Sequence, residues 1–141
     1  TDNPPAVAFK LAEKFWPGAL TLILRSQASL SWDLGETKGT VALRIPDNDI
    51  ALALLKEVGP LAVSSANLTG EPAAENVDAA EGYFGDKVSV YLDGGQSPNA
   101  KPSTILDLTD PGFVKVVRVG KLSVAQIKKV IGSEAEVVTA G

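Results

Sequence analysis

Histidine, cysteine and methionine are all absent from the 141 residues, and the first two absences remove whole chemistries. Without cysteine there is no disulfide framework, thiol nucleophile or thiolate zinc site. Without histidine there is no Ser-His-Asp triad and no imidazole base. A metal held by this chain alone needs carboxylate, hydroxyl or phosphate oxygens, a donor set that suits Mg²⁺. The missing methionine reads differently. The chain starts Thr1-Asp2-Asn3-Pro4-Pro5, as expected of a processed product or a piece of something longer. No apolar run approaches the roughly 20 residues that span a bilayer, and no signal peptide is visible, so the expected setting is cytoplasmic and away from membranes. Excess positive charge is lacking too. Thirteen Lys and Arg face 17 Asp and Glu, for a net charge of −4, which argues against strong nonspecific nucleic-acid binding by this segment.

What is present is the material of a folded domain. Hydrophobic residues at 45% and charged residues at 21% lie near globular averages and exclude wholesale disorder. The length suits one domain with a real core, and residues 1–141 read as a single domain. Asn3 followed by Pro4 predicts a helix start, and Ala6, Phe9, Leu11, Ala12 and Phe15 recur at helical spacing, which predicts a helix over 4–15. Trp16-Pro17-Gly18 stops it. Ala19 to Arg25 is nearly all apolar, as in an interior strand. Further strands are predicted at 40–45, 61–64, 88–92, 103–108 and 113–119, the last two as a hairpin across Thr109-Asp110-Pro111-Gly112. Asp47 or Asn48 can cap a helix over 49–57, and 76–84 is a weaker helix. Ser123-Val124-Ala125-Gln126 fits a capping box for a last helix ended by Gly132. Residues 26–37 and 93–102 read as loops. The fold class is mixed α/β, with about six strands and three or four helices.

The basic residues divide unevenly into ten scattered lysines and three arginines. Arg25, Arg44 and Arg118 all fall at or near the carboxyl end of a predicted strand, where ligands gather in open α/β sheets. An arginine fork suits a bidentate grip on carboxylate or phosphate; a strand-end salt bridge to Asp or Glu accounts for it equally. Period-2 alternation puts Thr40, Ala42 and Arg44 on one face. A second constellation, Ser64-Ser65-Ala66-Asn67-Leu68-Thr69-Gly70, follows straight after an apolar stretch. Its hydroxyls, carboxamide and backbone N–H groups could form a phosphate-holding nest or simply a polar turn. It is not a Walker loop, since no Gly-Lys-Ser/Thr is present. Pro102-Ser103-Thr104-Ile105 offers a third hydroxyl pair.

Together these segments say more than any one alone. Phe15-Trp16-Pro17-Gly18-Ala19-Leu20-Thr21, Thr40-Val41-Ala42-Leu43-Arg44-Ile45-Pro46, Ser65-Ala66-Asn67-Leu68-Thr69-Gly70, Pro102-Ser103-Thr104-Ile105 and Val117-Arg118-Val119-Gly120 occur in order. The succession resembles the YrdC-like family, the L-threonylcarbamoyladenylate synthases, over roughly residues 9–131. The resemblance implies a twisted mixed sheet flanked by helices. It also implies an enzyme that joins L-threonine, bicarbonate and ATP, with Mg²⁺, into threonylcarbamoyl-AMP. That product would feed a downstream transferase complex that modifies tRNA to threonylcarbamoyladenosine.

By motif, Arg44 resembles the arginine near the threonine carboxylate and Ser103 a hydroxyl of the threonine pocket. Thr40, Ser64, Ser65, Asn67 and Arg118 resemble nucleotide contacts. Arg25 matches no ligand residue and is assigned to a salt bridge, while Trp16-Pro17-Gly18 reads as architecture. The family's N-terminal segment, with its Pro-Thr-(Asp/Glu)-Thr-x-Tyr-Gly strand and its Lys-Arg loop, has no counterpart before Thr1. Catalysis is therefore expected of the intact protein rather than of these 141 residues alone, and some strands are expected to lack a sheet neighbour. Two alternatives stand beside this reading. One is a carbamoyl-adenylate-forming relative from hydrogenase maturation; the other is an RNA-binding module of the same fold, binding RNA weakly given the acidic balance.

Overall fold

The computed structural model describes residues 1–97 and 101–139; the predicted loop over 93–102 thus lies partly outside the described residues. Contacts divide the chain into two compact units, Thr1–Ala53 with Lys101–Gly141, and Leu54–Ala100.

The first unit is built on strand alternation. Helix α1 (Ala6–Phe15) leads into strand β1 (Leu20–Arg25), which pairs antiparallel with β2 (Thr40–Leu43). On its other side β1 pairs in parallel with β3 (Thr104–Asp107), which forms a hairpin with β4 (Phe113–Arg118); β5 (Glu136–Thr139) closes the sheet alongside β4. The order is β2-β1-β3-β4-β5, the mixed sheet that the sequence predicts. Leu20, Leu22 and Leu24 of β1 share a face with Leu106, Val114 and Val116, and all are buried. Against that face lie Val7, Ala8 and Leu11 of α1 and Ile127 and Ile131 of α4 (Val124–Ile131). Each fully buried aliphatic side chain contributes about 1.5–3 kcal/mol, so one two-layer core holds this unit. Lys10 of α1 forms a salt bridge with Glu134.

Local signals set most element ends. Ser123 and Gln126 make the reciprocal capping box of α4, and Gly132 ends that helix at positive φ. Asn48 rather than Asp47 caps α2 (Asp49–Val58), accepting from the Ala51 N–H at 2.9 Å. The start of α1 differs from expectation. Pro5 is its N-cap and Asn3 lies outside it at φ 41°. A residue before proline is pushed out of the helical region, so Pro4 cannot begin a helix when Pro5 follows. β2 stops at Leu43, leaving Arg44 and Ile45 beyond it.

In the second unit Asn76 caps α3 (Val77–Phe84), its carboxamide oxygen accepting from the Ala79 N–H. Tyr83 donates to the Pro72 carbonyl and Tyr91 to that of Gly85. Neither strand predicted here forms. Residues 61–64 and 88–92 pair with no other described segment, and Val63 is 87% and Val90 69% exposed. A strand is defined by its ladder, and apolar propensity cannot supply the partner. Conversely β5, which no pattern marks, forms because β4 offers it a parallel edge. Among the described residues no helix is long and apolar enough to cross a membrane.

Candidate functional site

Strand direction sorts the three arginines. β1 and β3 run one way and β2 and β4 the other. The carboxyl ends of β2 and β4 therefore lie where β1 and β3 begin. Arg44, just past β2, and Arg118, the last residue of β4, come to that end; Arg25 ends β1 at the opposite one.

Arg118 is fixed against the start of β3. Its Nε and Nη2 donate to the Ser103 carbonyl at 3.1 and 2.9 Å, and Nη2 also reaches Ser103 Oγ at 3.2 Å. Ser103 is only 6% exposed, and its Oγ lies 2.8 Å from Thr21 Oγ1 on β1. The neighbouring Thr104 is fully buried and works as a hub. Its hydroxyl donates to the Leu122 carbonyl at 2.7 Å and accepts from the N–H groups of Gly120 and Leu122 at 2.9 and 3.1 Å. That hub holds the turn after β4 against the backbone before β3, with Lys121 N–H donating to the Pro102 carbonyl.

Arg44 is fixed just past the end of β2. Its Nε donates to the Gly18 carbonyl at 2.9 Å, and the Gly18 N–H donates to the Ile45 carbonyl at 2.8 Å. A Cβ at Gly18 would overlap the Phe15 carbonyl oxygen, so only glycine fits this turn out of α1. Leu20 and Thr104 are register partners, so Gly18 and Ser103 lie just ahead of the starts of β1 and β3. Both guanidiniums are thus anchored through carbonyls at the same end of the sheet. Neither has a carboxylate within 4.0 Å among the described residues. The salt-bridge explanation for Arg44 and Arg118 falls away, and Nη1 of Arg118 and both Nη groups of Arg44 make no bond among the described residues. Donors so placed can take a carboxylate or a phosphate. Arg25 also lacks a carboxylate partner, which corrects its assignment to a salt bridge.

The other sequence candidates make contacts of their own. Thr40 pairs with Arg25 across β1 and β2, about 13 Å along the chain from Arg44. Its hydroxyl donates to the Thr37 carbonyl at 2.8 Å and closes the loop before β2. Ser64, Ser65 and Asn67 belong to the second unit, where their loop folds on itself. Asn67 N–H donates to the Ser65 carbonyl, its Nδ2 to the Leu68 carbonyl, and Ala74 N–H to the Ala66 carbonyl. Gly70 completes the turn at φ 88°. Both serines are exposed.

Thr21, Thr104 and Gly120 carry the geometry of this end of the sheet; sequence marked Thr104 only as part of a hydroxyl pair and gave none of the three a role. One signal pointed to Thr21: it is the lone polar residue within Ala19-Leu20-Thr21-Leu22-Ile23-Leu24, which an interior strand has no packing reason to carry.

Comparison with known proteins agrees with this frame. Residues 1–120 match the model of the Sua5/YciO/YrdC family, described as telomere recombination. The chain is 51% identical over 128 residues to a Mycobacterium leprae protein named "Putative threonylcarbamoyl-AMP synthase", a match covering 91% of this chain and 58% of that protein. It is 38% identical over 134 residues to the threonylcarbamoyl-AMP synthase of Bacillus subtilis, covering 94% of this chain and 38% of that one. The crystal structure of Pyrococcus abyssi Sua5 complexed with L-threonine superposes with a TM-score of 0.87 at 34% identity, over 97% of this chain and 40% of that one. The chain therefore spans well under two thirds of the length of each.

Proposed function

The chain belongs to the Sua5/YciO/YrdC family, and we propose that the protein carrying it makes L-threonylcarbamoyl-AMP from L-threonine, bicarbonate and ATP, releasing pyrophosphate. The observation that carries this reading is the pair of carbonyl-anchored arginines, Arg44 and Arg118, facing no carboxylate among the described residues. Such a pair accepts anions, and every substrate of this reaction bears a carboxylate, carbonate or phosphate group.

In this reading Arg44 holds the threonine carboxylate, Ser103 lines the threonine pocket and Arg118 faces the nucleotide. Thr40, whose proton is engaged with Thr37, serves the nucleotide as an acceptor, and Ser64, Ser65 and Asn67 contribute polar contacts to it. The threonine amine takes up bicarbonate with loss of water, giving a carbamate. A carbamate oxygen then attacks the α-phosphorus, and the bond to the bridging oxygen of pyrophosphate breaks. No side chain needs to form a covalent bond; orientation and charge neutralisation carry the rate. Guanidiniums and hydroxyls repel or barely hold a bare dication, so this donor set fits an anion. Mg²⁺ would arrive bound to the phosphates, as it usually does, and would neutralise their charge.

The product is assigned to the transferase machinery that builds threonylcarbamoyladenosine in tRNA. The test is pyrophosphate release by the complete protein. It should require threonine and bicarbonate together, and release independent of threonine would overturn the assignment.

A further inference from the structure

The geometry points to Thr21 as a positioning residue that sets the proton on Ser103 for a ligand carboxylate; this rests on the placement of Ser103 in the threonine pocket. Proton bookkeeping carries the argument. Ser103 Oγ accepts from Arg118 Nη2 and lies 2.8 Å from Thr21 Oγ1. A hydroxyl has one proton and two lone pairs. If Thr21 donates, both lone pairs of Ser103 are occupied and its proton can only point outward. If Ser103 donates, the outward proton belongs to Thr21. In both arrangements the pair offers one O–H donor.

A carboxylate is an acceptor with no proton to give. Its approach selects the first arrangement, in which Thr21 donates to Ser103 and Ser103 donates to the ligand beside the Arg118 guanidinium. With Thr21 donating and Arg118 donating, both Ser103 lone pairs are filled, so Thr21 keeps the Ser103 proton on the bound carboxylate instead of letting the hydroxyl rotate away.

Thr21 has the placement for this role. Leu20, Leu22 and Leu24 turn to the core while Thr21 turns to the other face, half-buried, on the strand in parallel register with β3. Its methyl and strand position would be served equally by valine, so packing does not require the hydroxyl.

The experiment compares Thr21→Val and Thr21→Ser in the complete protein. With ligand absent, the Arg118 Nη2 protons, one of which is bound to Ser103 Oγ, are followed by NMR for solvent exchange. Thr21→Val should speed that exchange several-fold because Ser103 Oγ is no longer held, and Thr21→Ser should not. With ligand, Thr21→Val should raise the KM for L-threonine about three- to tenfold, the size of one hydrogen bond. The kcat should change little, and Thr21→Ser should restore the parent values. Unchanged Arg118 exchange in Thr21→Val, or an unchanged KM, overturns the inference. If the parent protein does not take threonine while Arg118 responds as expected, the coupling stands and the assignment of threonine falls instead.

Discussion

Gly120 lies so close to the backbone ahead of β3 that a Cβ on it would overlap the Pro102 carbonyl oxygen and sit 2.7 Å from that of Ser103. This contact, more than any side chain, sets the distance between the end of β4 and the start of β3. Arg118 stands two residues before it and Ser103 is one of the residues it touches.

Gly120→Ala is therefore expected to force the two segments apart. Overpacking of this kind costs about 1–3 kcal/mol, and the shift would break the Arg118–Ser103 bonds as well. Urea unfolding should show a lower midpoint, and threonine binding by calorimetry should weaken in the same variant.

Thr104→Val keeps shape but removes the hub hydroxyl. The part-buried N–H groups of Gly120 and Leu122 then lose their acceptor, at up to about 1–3 kcal/mol for each unsatisfied group. Thr104→Ser should recover most of the loss. A valine variant as stable as the parent in urea would mean that the turn finds other partners.

Arg44→Lys should leave folding unchanged and raise the threonine requirement. A charged bidentate contact is worth about 1.5–3 kcal/mol, or roughly ten- to a hundredfold in KM. Steady-state pyrophosphate release at varied threonine reads this directly. An unchanged KM would reduce Arg44 to a clamp on Gly18.

Ser123→Ala provides the contrast. Loss of the capping box should lower stability by about 1 kcal/mol without altering threonine dependence at temperatures where the protein is folded. If KM rose with it, stability loss alone would explain part of any effect at Arg44.

Where a signal is local, the sequence carries it. Ser123 and Gln126 announce α4, and the apolar run from Ala19 to Leu24 announces an interior strand. The nonlocal pairings are silent. Residues 61–64 and 88–92 have the composition of strands and no ladder, while Glu136–Thr139 is drawn into one by its neighbour. The site divides in the same way. Arg44, Ser103 and Arg118 stand out as polar residues at strand ends, and motif order groups them. That Thr21 would meet Ser103 depends on β1 lying beside β3, which no spacing along the chain reveals. Thr40 shows the limit of face arguments: it shares a face with Arg44 yet sits at the far end of the strand, and alternation alone does not report distance along the strand.

The bond between Thr21 and Ser103 spans 82 positions of sequence, and this has a consequence for how the chain reaches its native state. Hairpin β1–β2 is local and can close early, but β1 cannot gain its second neighbour until β3 has left the ribosome. Closing a loop of that length costs about 4 kcal/mol of chain entropy beyond a constant, so the parallel pairing belongs to the slow, late part of folding. Until then Leu20, Leu22 and Leu24 have α1 but not Leu106 or Val114 beside them, and the nascent sheet offers an open apolar edge. Arg44 and Arg118 come to one end of a single sheet only once that step is made. A chain stalled before residue 104 therefore lacks the arrangement proposed to take the anionic groups of the substrates.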